Sequence, residues 1–145
     1  LKVLKENSNS ISDIQDIKNH PTIKDLLLHT AGFSYNFLND LVGEEYHNVG
    51  LFNSDNSTLE DEINLLATIP LLYEPNTRWL YSVSVDVLAR IIEVVCNSTL
   101  QKELKQRIFD PLEMEDTSFT ITKENESRLV TSYHYDAENK KLIDL

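Results

Sequence analysis

Tyr81 stands directly ahead of a long apolar run, where a helix should begin, and its phenol is the group whose chemistry depends most on that placement. A free phenol ionises near pH ~10, so it works as a base near neutrality only where cations or a helix N-terminus stabilise the phenolate. Against that stands the plainer reading, a half-buried aromatic whose hydroxyl finds a partner beside a core helix. Trp79, two residues earlier, reads as packing or pocket wall rather than as a chemical participant. His29 could be taken for a general base, but it closes an amphipathic segment and reads as a satisfied structural histidine. His20, His29, His47 and His134 show no ligand pairing, and the HExxH and CxxC patterns are absent, so neither a metal nor another cofactor is expected. The carboxylates read as solvated helix faces, not as a glycosidase pair. Cys96 forms no internal disulfide for want of a second cysteine, and reads as a small buried thiol at a helix end.

The elements that must position Tyr81 are mostly helical. Thr22 followed by Asp25 is the chemistry of a helix N-terminus; Ile23, Leu26, Leu27 and Thr30 then share a face, with Gly32 as the expected stop. Thr58 and Asp61 repeat the pattern ahead of Leu59, Ile63, Leu66 and Ala67, with Pro70 beyond. The longest helix should open at Ser82 or Ser84 with Asp86 in its first turn, where the macrodipole favours a negative charge. Its apolar residues, Val87, Leu88, Ile91, Ile92, Val94 and Val95, cover more than half the circumference, which predicts a central core helix. Ser98 and Gln101 predict a capping box for a fourth helix carrying Leu100, Leu104 and Ile108 as far as Asp110-Pro111. Phe37, Leu38, Leu41, Val42 and Tyr46 suggest another. Strand candidates are short: Leu1 to Leu4, Thr117 to Ile121 and Leu129 to Tyr135.

The charge narrows the partners. With 24 acidic and 13 basic residues the formal net charge is −11, the wrong sign for a phosphate-binding surface, so nucleic acid is not an expected partner. No apolar run approaches the roughly 20 residues of a membrane span, and no basic-then-apolar leader opens the chain. The chain begins at Leu1 without a methionine, which leaves room for a lost leader.

Four segments in order carry a family resemblance. Pro21 to Phe33, PTIKDLLLHTAGF, is similar to a segment usually written TIRDLLTHTSGL. Pro70 to Trp79 resembles PLLFEPGTRW, and the Tyr81 helix follows it; Arg107 to Phe119 resembles RIFEPLGMKDTSF. Together they resemble the serine β-lactamase, penicillin-binding protein and esterase superfamily, most of all its carboxylesterase branch. The resemblance implies a mainly α chain: the helical subdomain of a β-lactamase/transpeptidase-like α+β fold, with a few short terminal strands, in one domain over 1–145. It also implies that Tyr81 matches the family's catalytic tyrosine, shuttling protons in acyl transfer through a serine ester on a small-molecule ester or amide.

The same resemblance exposes what is missing. No serine here is followed by a lysine three places on, and no KTG or HTG segment is present. In family members those motifs lie upstream and downstream of the matched segments, so the expectation is the central portion of a larger hydrolase, inactive by itself. The alternative is a non-catalytic binding or assembly module that reuses the fold. Val83 stands where penicillin-recognising members usually carry asparagine, which tilts the expectation toward ester chemistry. Asn76, Ala89, Asn97 and Glu113 stand where the family usually has glycine; asparagine tolerates positive φ, while Glu113 fits such a turn less well.

Overall fold

The computed structural model describes residues 1–53 and 56–144. The chain divides into two compact units, Leu1–Glu103 and Leu104–Leu145.

The first unit opens with strands β1 (Lys2–Leu4) and β2 (Ile14–Asp16), paired antiparallel with Val3 opposite Gln15. Helices α1 (Ile23–Leu27), α2 (Leu41–Asn48), α3 (Leu59–Leu66) and α4 (Ser84–Cys96) follow. Helix α1 starts as its sequence predicts: the Thr22 hydroxyl accepts from Asp25 N–H at 3.2 Å, and Asp25 accepts from Thr22 N–H at 2.8 Å. The Thr58–Asp61 pair closes α3 in the same reciprocal way. Asp40 caps α2, its carboxylate accepting from Val42 and Gly43 N–H at 3.0 and 2.8 Å.

The stop of α1 differs from expectation. The helix ends at Leu27, and His29 takes the left-handed conformation at φ 55°. Gly32 serves a different purpose: at φ 91° it lies so close to Tyr73 that a Cβ would meet the Tyr73 carbonyl oxygen at 2.3 Å. That approach lets Leu72 N–H bond the Gly32 carbonyl at 2.8 Å, while Leu71 exchanges backbone bonds with β1. The core gathers where these strands meet α1, α2 and α3, around Val3, Leu26, Val42, Leu51, Leu71 and Val83.

Helix α4 is not the central core helix that its composition predicts. Ser84 is buried, and Val87, Leu88 and Ile91 pack partly buried against the core, but Val85, Val94 and Val95 are 57, 63 and 77% exposed. The physical reason is supply: a helix apolar on more than half its girth needs cover on several sides, and α1 and α3 cover one. Arg90 ties α4 to α3 through Glu60 at 2.6 Å and also bonds Glu93. The Glu93 carboxylate in turn accepts from Leu100 N–H at 3.0 Å. That bond opens α5 (Leu100–Leu104), whose cap is the Thr99 hydroxyl, accepting from Lys102 N–H, rather than Ser98. Cys96 is half-buried rather than fully buried.

In the second unit a wider π-helical turn, Lys105–Phe109, continues the chain, and the paired strands β3 (Tyr133–Asp136) and β4 (Lys141–Asp144) follow. Only the end of the predicted Leu129–Tyr135 strand forms, because the turn held by Asp136, which accepts from Glu138 and Asn139 N–H, sets the hairpin register. The predicted strand over Thr117–Ile121 is absent. There the Ser118 hydroxyl bonds the Thr120 carbonyl, a local contact that competes with a ladder. Three of the four positions that depart from the glycine pattern, Asn76, Asn97 and Glu113, take positive φ at 63, 48 and 54°. The turns are therefore kept without the glycines. Ala89 lies inside α4.

Candidate active site

Two stretches of the first unit bring the candidate site together. Residues 29–34 and 76–83 are laced by backbone bonds: Asn76 N–H to the Thr30 carbonyl at 2.7 Å, Leu80 to His29 at 3.0 Å, and Val83 to Ser34 at 3.2 Å. Ser34 is fully buried, and its hydroxyl donates to Asp40 at 2.6 Å, so the loop is anchored to the cap of α2. Tyr81 is thus fixed at its backbone, two residues ahead of Val83, the cap of α4.

The Tyr81 ring lies between two others. Tyr35 stacks on it at 5.4 Å between centroids with planes 19° apart, and His29 meets it at 4.9 Å and 41°. Phe37 extends the row, stacking on Tyr35 at 4.7 Å. Half of Tyr81 remains open to solvent, at 52% exposure. The aromatic neighbours orient the ring while about half of the residue stays open to solvent.

His29 is satisfied in the way its sequence suggested. Its Nδ1 accepts from Ser82 N–H at 3.2 Å and lies 3.3 Å from the Ser82 hydroxyl, which is 2.8 Å from that of Ser84. Accepting that N–H commits the Nδ1 lone pair to the backbone of Ser82. The histidine is therefore a support for the Tyr81 segment.

Burial makes other phenols of this unit harder to ionise. Burial pushes Tyr35 up, and the negative charge of Asp86 adds to it. Burial pushes Tyr73 up to about 12 despite Arg78, whose guanidinium lies 5.8 Å above its ring. Tyr46, on the buried face of α2, is pushed further still, with burial again the main cause. Asp86 in the first turn of α4 is itself raised by burial.

Val83 is 1% exposed, so position 83 is a core position and offers no side chain to a ligand. Trp79 is 67% exposed and lines a groove of about 910 Å³ with Leu80, Tyr73, Arg78 and Leu4. Among the described residues no three His, Cys, Asp or Glu side chains gather to hold a metal ion, and no helix is long and apolar enough to cross a membrane. Tyr35 and Phe37 escaped the sequence reading, which placed Phe37 in a helix.

The family model described as Beta-lactamase matches residues 13–144, and the chain belongs to that family. It falls in the serine β-lactamase and penicillin-binding protein-like superfamily, on the carboxylesterase-like branch. A lovastatin esterase of Penicillium rubens is 34% identical over 111 residues, 75% of this chain and 27% of that protein. Esterase EstB of Burkholderia gladioli is 31% identical over 116 residues, 78% of this chain and 29% of that protein. The solved structure of EstCE1, described as a hydrolase with promiscuous acyltransferase activity, superposes with a TM-score of 0.77 at 29% identity, covering 94% of this chain and 35% of that one. The chain thus spans less than a third of the length of these two curated relatives.

Proposed function

We propose that this chain is the central helical portion of a serine hydrolase that acts by acyl transfer on small-molecule esters, with Tyr81 as its proton carrier. The observation that carries the reading is the Tyr81 ring, in contact with Tyr35 and His29 at the entry to α4 and half exposed to solvent. In such a reaction a serine oxygen attacks the ester carbonyl, and the phenolate takes the serine proton. Tyr81 then returns that proton to the departing alcohol, and the sequence repeats with water to free the acid. The helix N-terminus favours the phenolate, and the cation that would complete its stabilisation is the lysine of an SxxK motif outside these residues. The esterase relatives support ester over lactam substrates, as does the buried, apolar Val83.

Two measurements test this. A fluorophosphonate probe applied to the protein carrying this segment in its full reading frame should label one serine outside residues 1–145, followed three places on by lysine. Applied to the present chain, the same probe should leave every serine unmodified, and chromogenic esters should show no saturable turnover. Stoichiometric labelling of a serine within the chain would overturn the reading.

A further inference from the structure

Helix α4 carries a second apolar stripe beside the one that meets the core. Val85, Ala89, Ile92 and Cys96 follow one another at steps of four, three and four residues, so they run down one side of the helix. Val87, Leu88 and Ile91, which pack on the core, form a different side. Val85 and Ile92 are exposed, and Ala89 and Cys96 are half-buried. Bulky and small side chains alternate along the stripe, which leaves recesses at Ala89 and Cys96 for the side chains of a second helix at the roughly 8–10 Å axial separation of close packing. Irregular chain laid there would press unpaired backbone groups against apolar side chains, whereas a helix bonds its own.

One edge of the stripe has a charge to satisfy. Asp86 is half-buried in the first turn of α4, its carboxyl is pushed up by burial, and no cation among the described residues offsets this. A partner bringing positive charge to this edge relieves the cost of that burial. The position of the stripe matters as much as its chemistry. It begins at Val85, four residues after Tyr81, on a helix whose entry is fixed by the bond from Val83 N–H to the Ser34 carbonyl. A helix seated on Val85 and Ala89 therefore has one of its ends beside the Tyr81 segment.

We infer that this stripe seats the helix that bears the SxxK motif, supplied by a part of the parent protein outside residues 1–145. The relatives are long enough to supply it, since the chain spans 27 and 29% of the two esterases and 35% of EstCE1. A serine and a lysine three residues apart share one face of a helix, so one seated helix presents both toward Tyr81. Its lysine also brings to this end of α4 the positive charge that the edge at Asp86 lacks. The motif on the helix rests on the proposed acyl-transfer reading; the presence of a helix on the stripe rests on the stripe itself.

The test is made in the full-length protein. Ile92, in the middle of the stripe, is exchanged for the photoreactive p-benzoylphenylalanine, and the peptide crosslinked on irradiation is sequenced by mass spectrometry. A fluorophosphonate labels the nucleophilic serine in a parallel sample. The crosslink should join position 92 to a peptide outside residues 1–145 that contains SxxK and the labelled serine. In the unsubstituted protein, Cys96 should react with N-ethylmaleimide at least about tenfold more slowly under native conditions than in urea. A crosslink to any other segment or to a second molecule, or no crosslink in the folded variant, would overturn the inference. Cys96 alkylation at the unfolded rate would overturn it too, and that measurement decides if the variant fails to fold. Absence of fluorophosphonate labelling would count against the acyl-transfer reading alone, because a crosslinked peptide with or without SxxK still upholds or overturns the seat.

Discussion

Tyr35 lies face to face with Tyr81, 5.4 Å between ring centres and 19° from parallel, and no polar contact is needed to hold the pair. Stacking of this kind orients a phenol without occupying its oxygen. A hydrogen bond to the hydroxyl would fix the ring equally well but would compete with any proton the hydroxyl must carry. The third ring, His29, completes the grip from a residue whose own backbone is left-handed and whose Nδ1 is bonded to Ser82.

Removing the stack should therefore loosen Tyr81 without unfolding the chain. Tyr35→Ala is expected to cost about 0.5–1.5 kcal/mol beyond its lost burial, and to broaden or shift the Tyr81 ring signals, whereas Tyr35→Phe should preserve both. Urea unfolding and aromatic NMR check this together. Identical Tyr81 signals in Tyr35→Ala would show that the ring is held by something else.

Gly43 should tolerate no side chain. The two carbonyl oxygens 2.5 Å from its missing Cβ, those of Tyr35 and Leu38, belong to backbone, so Gly43→Ala must push the Tyr35–Leu38 turn off α2. Overpacking of this sort costs about 1–3 kcal/mol. The midpoint of urea unfolding should fall accordingly, and the Tyr35 and Phe37 signals should move with it.

Glu113 holds a left-handed conformation at φ 54°, in a turn where Met114 N–H reaches the Phe109 carbonyl at 2.8 Å. A non-glycine residue there carries a strain on the order of 1 kcal/mol. Glu113→Gly should raise stability by roughly that amount, less the entropy a glycine loses on folding. A destabilised Glu113→Gly variant would contradict the assignment of strain.

The capping box of α1 should give the protein a specific acid sensitivity. Bonds from Thr22, first its hydroxyl and then its N–H, with the Thr30 hydroxyl adding less, hold the Asp25 carboxyl below its ordinary 3.8. A lowered folded value means that the stabilisation is complete above pH 3.8 and is lost as pH falls through the folded value. Asp25→Ala should therefore cost about 1 kcal/mol near pH 6, and the difference from the parent should shrink as the pH drops well below 4. A gap of constant size across that range would mean that the carboxylate charge plays no part.

Much of the scaffold was legible in the sequence because its cues are local. Thr22–Asp25 and Thr58–Asp61 announce helix starts that need no knowledge of the rest of the chain, and both appear as reciprocal caps. The start of α4 was legible only as Ser82 or Ser84, and it falls at Ser84 behind Val83, which makes no side-chain cap bond. The burial of α4 was not legible. Apolar composition says that a helix can be covered, while the neighbours decide whether it is, and Val94 and Val95 lie open. The stop of α1 went to Gly32 because glycine is the usual left-handed residue, yet His29 adopts that conformation where its Nδ1 gains the Ser82 bond. Tyr81 could be singled out from its flanks, but Tyr35 and Phe37 reach it through a turn whose geometry depends on Gly43 and Ser34. No spacing along the chain encodes that meeting.

The most direct test is the Tyr81→Phe exchange in the full-length protein, followed by hydrolysis of 4-nitrophenyl esters under saturating substrate. The phenylalanine keeps both ring contacts and removes only the hydroxyl, so the fold and substrate binding should persist while kcat falls by about 10²–10⁴-fold. A Tyr81→Phe protein that turns over esters at the parent rate would show that the proton travels by another route, and that Tyr81 is no more than a packed ring.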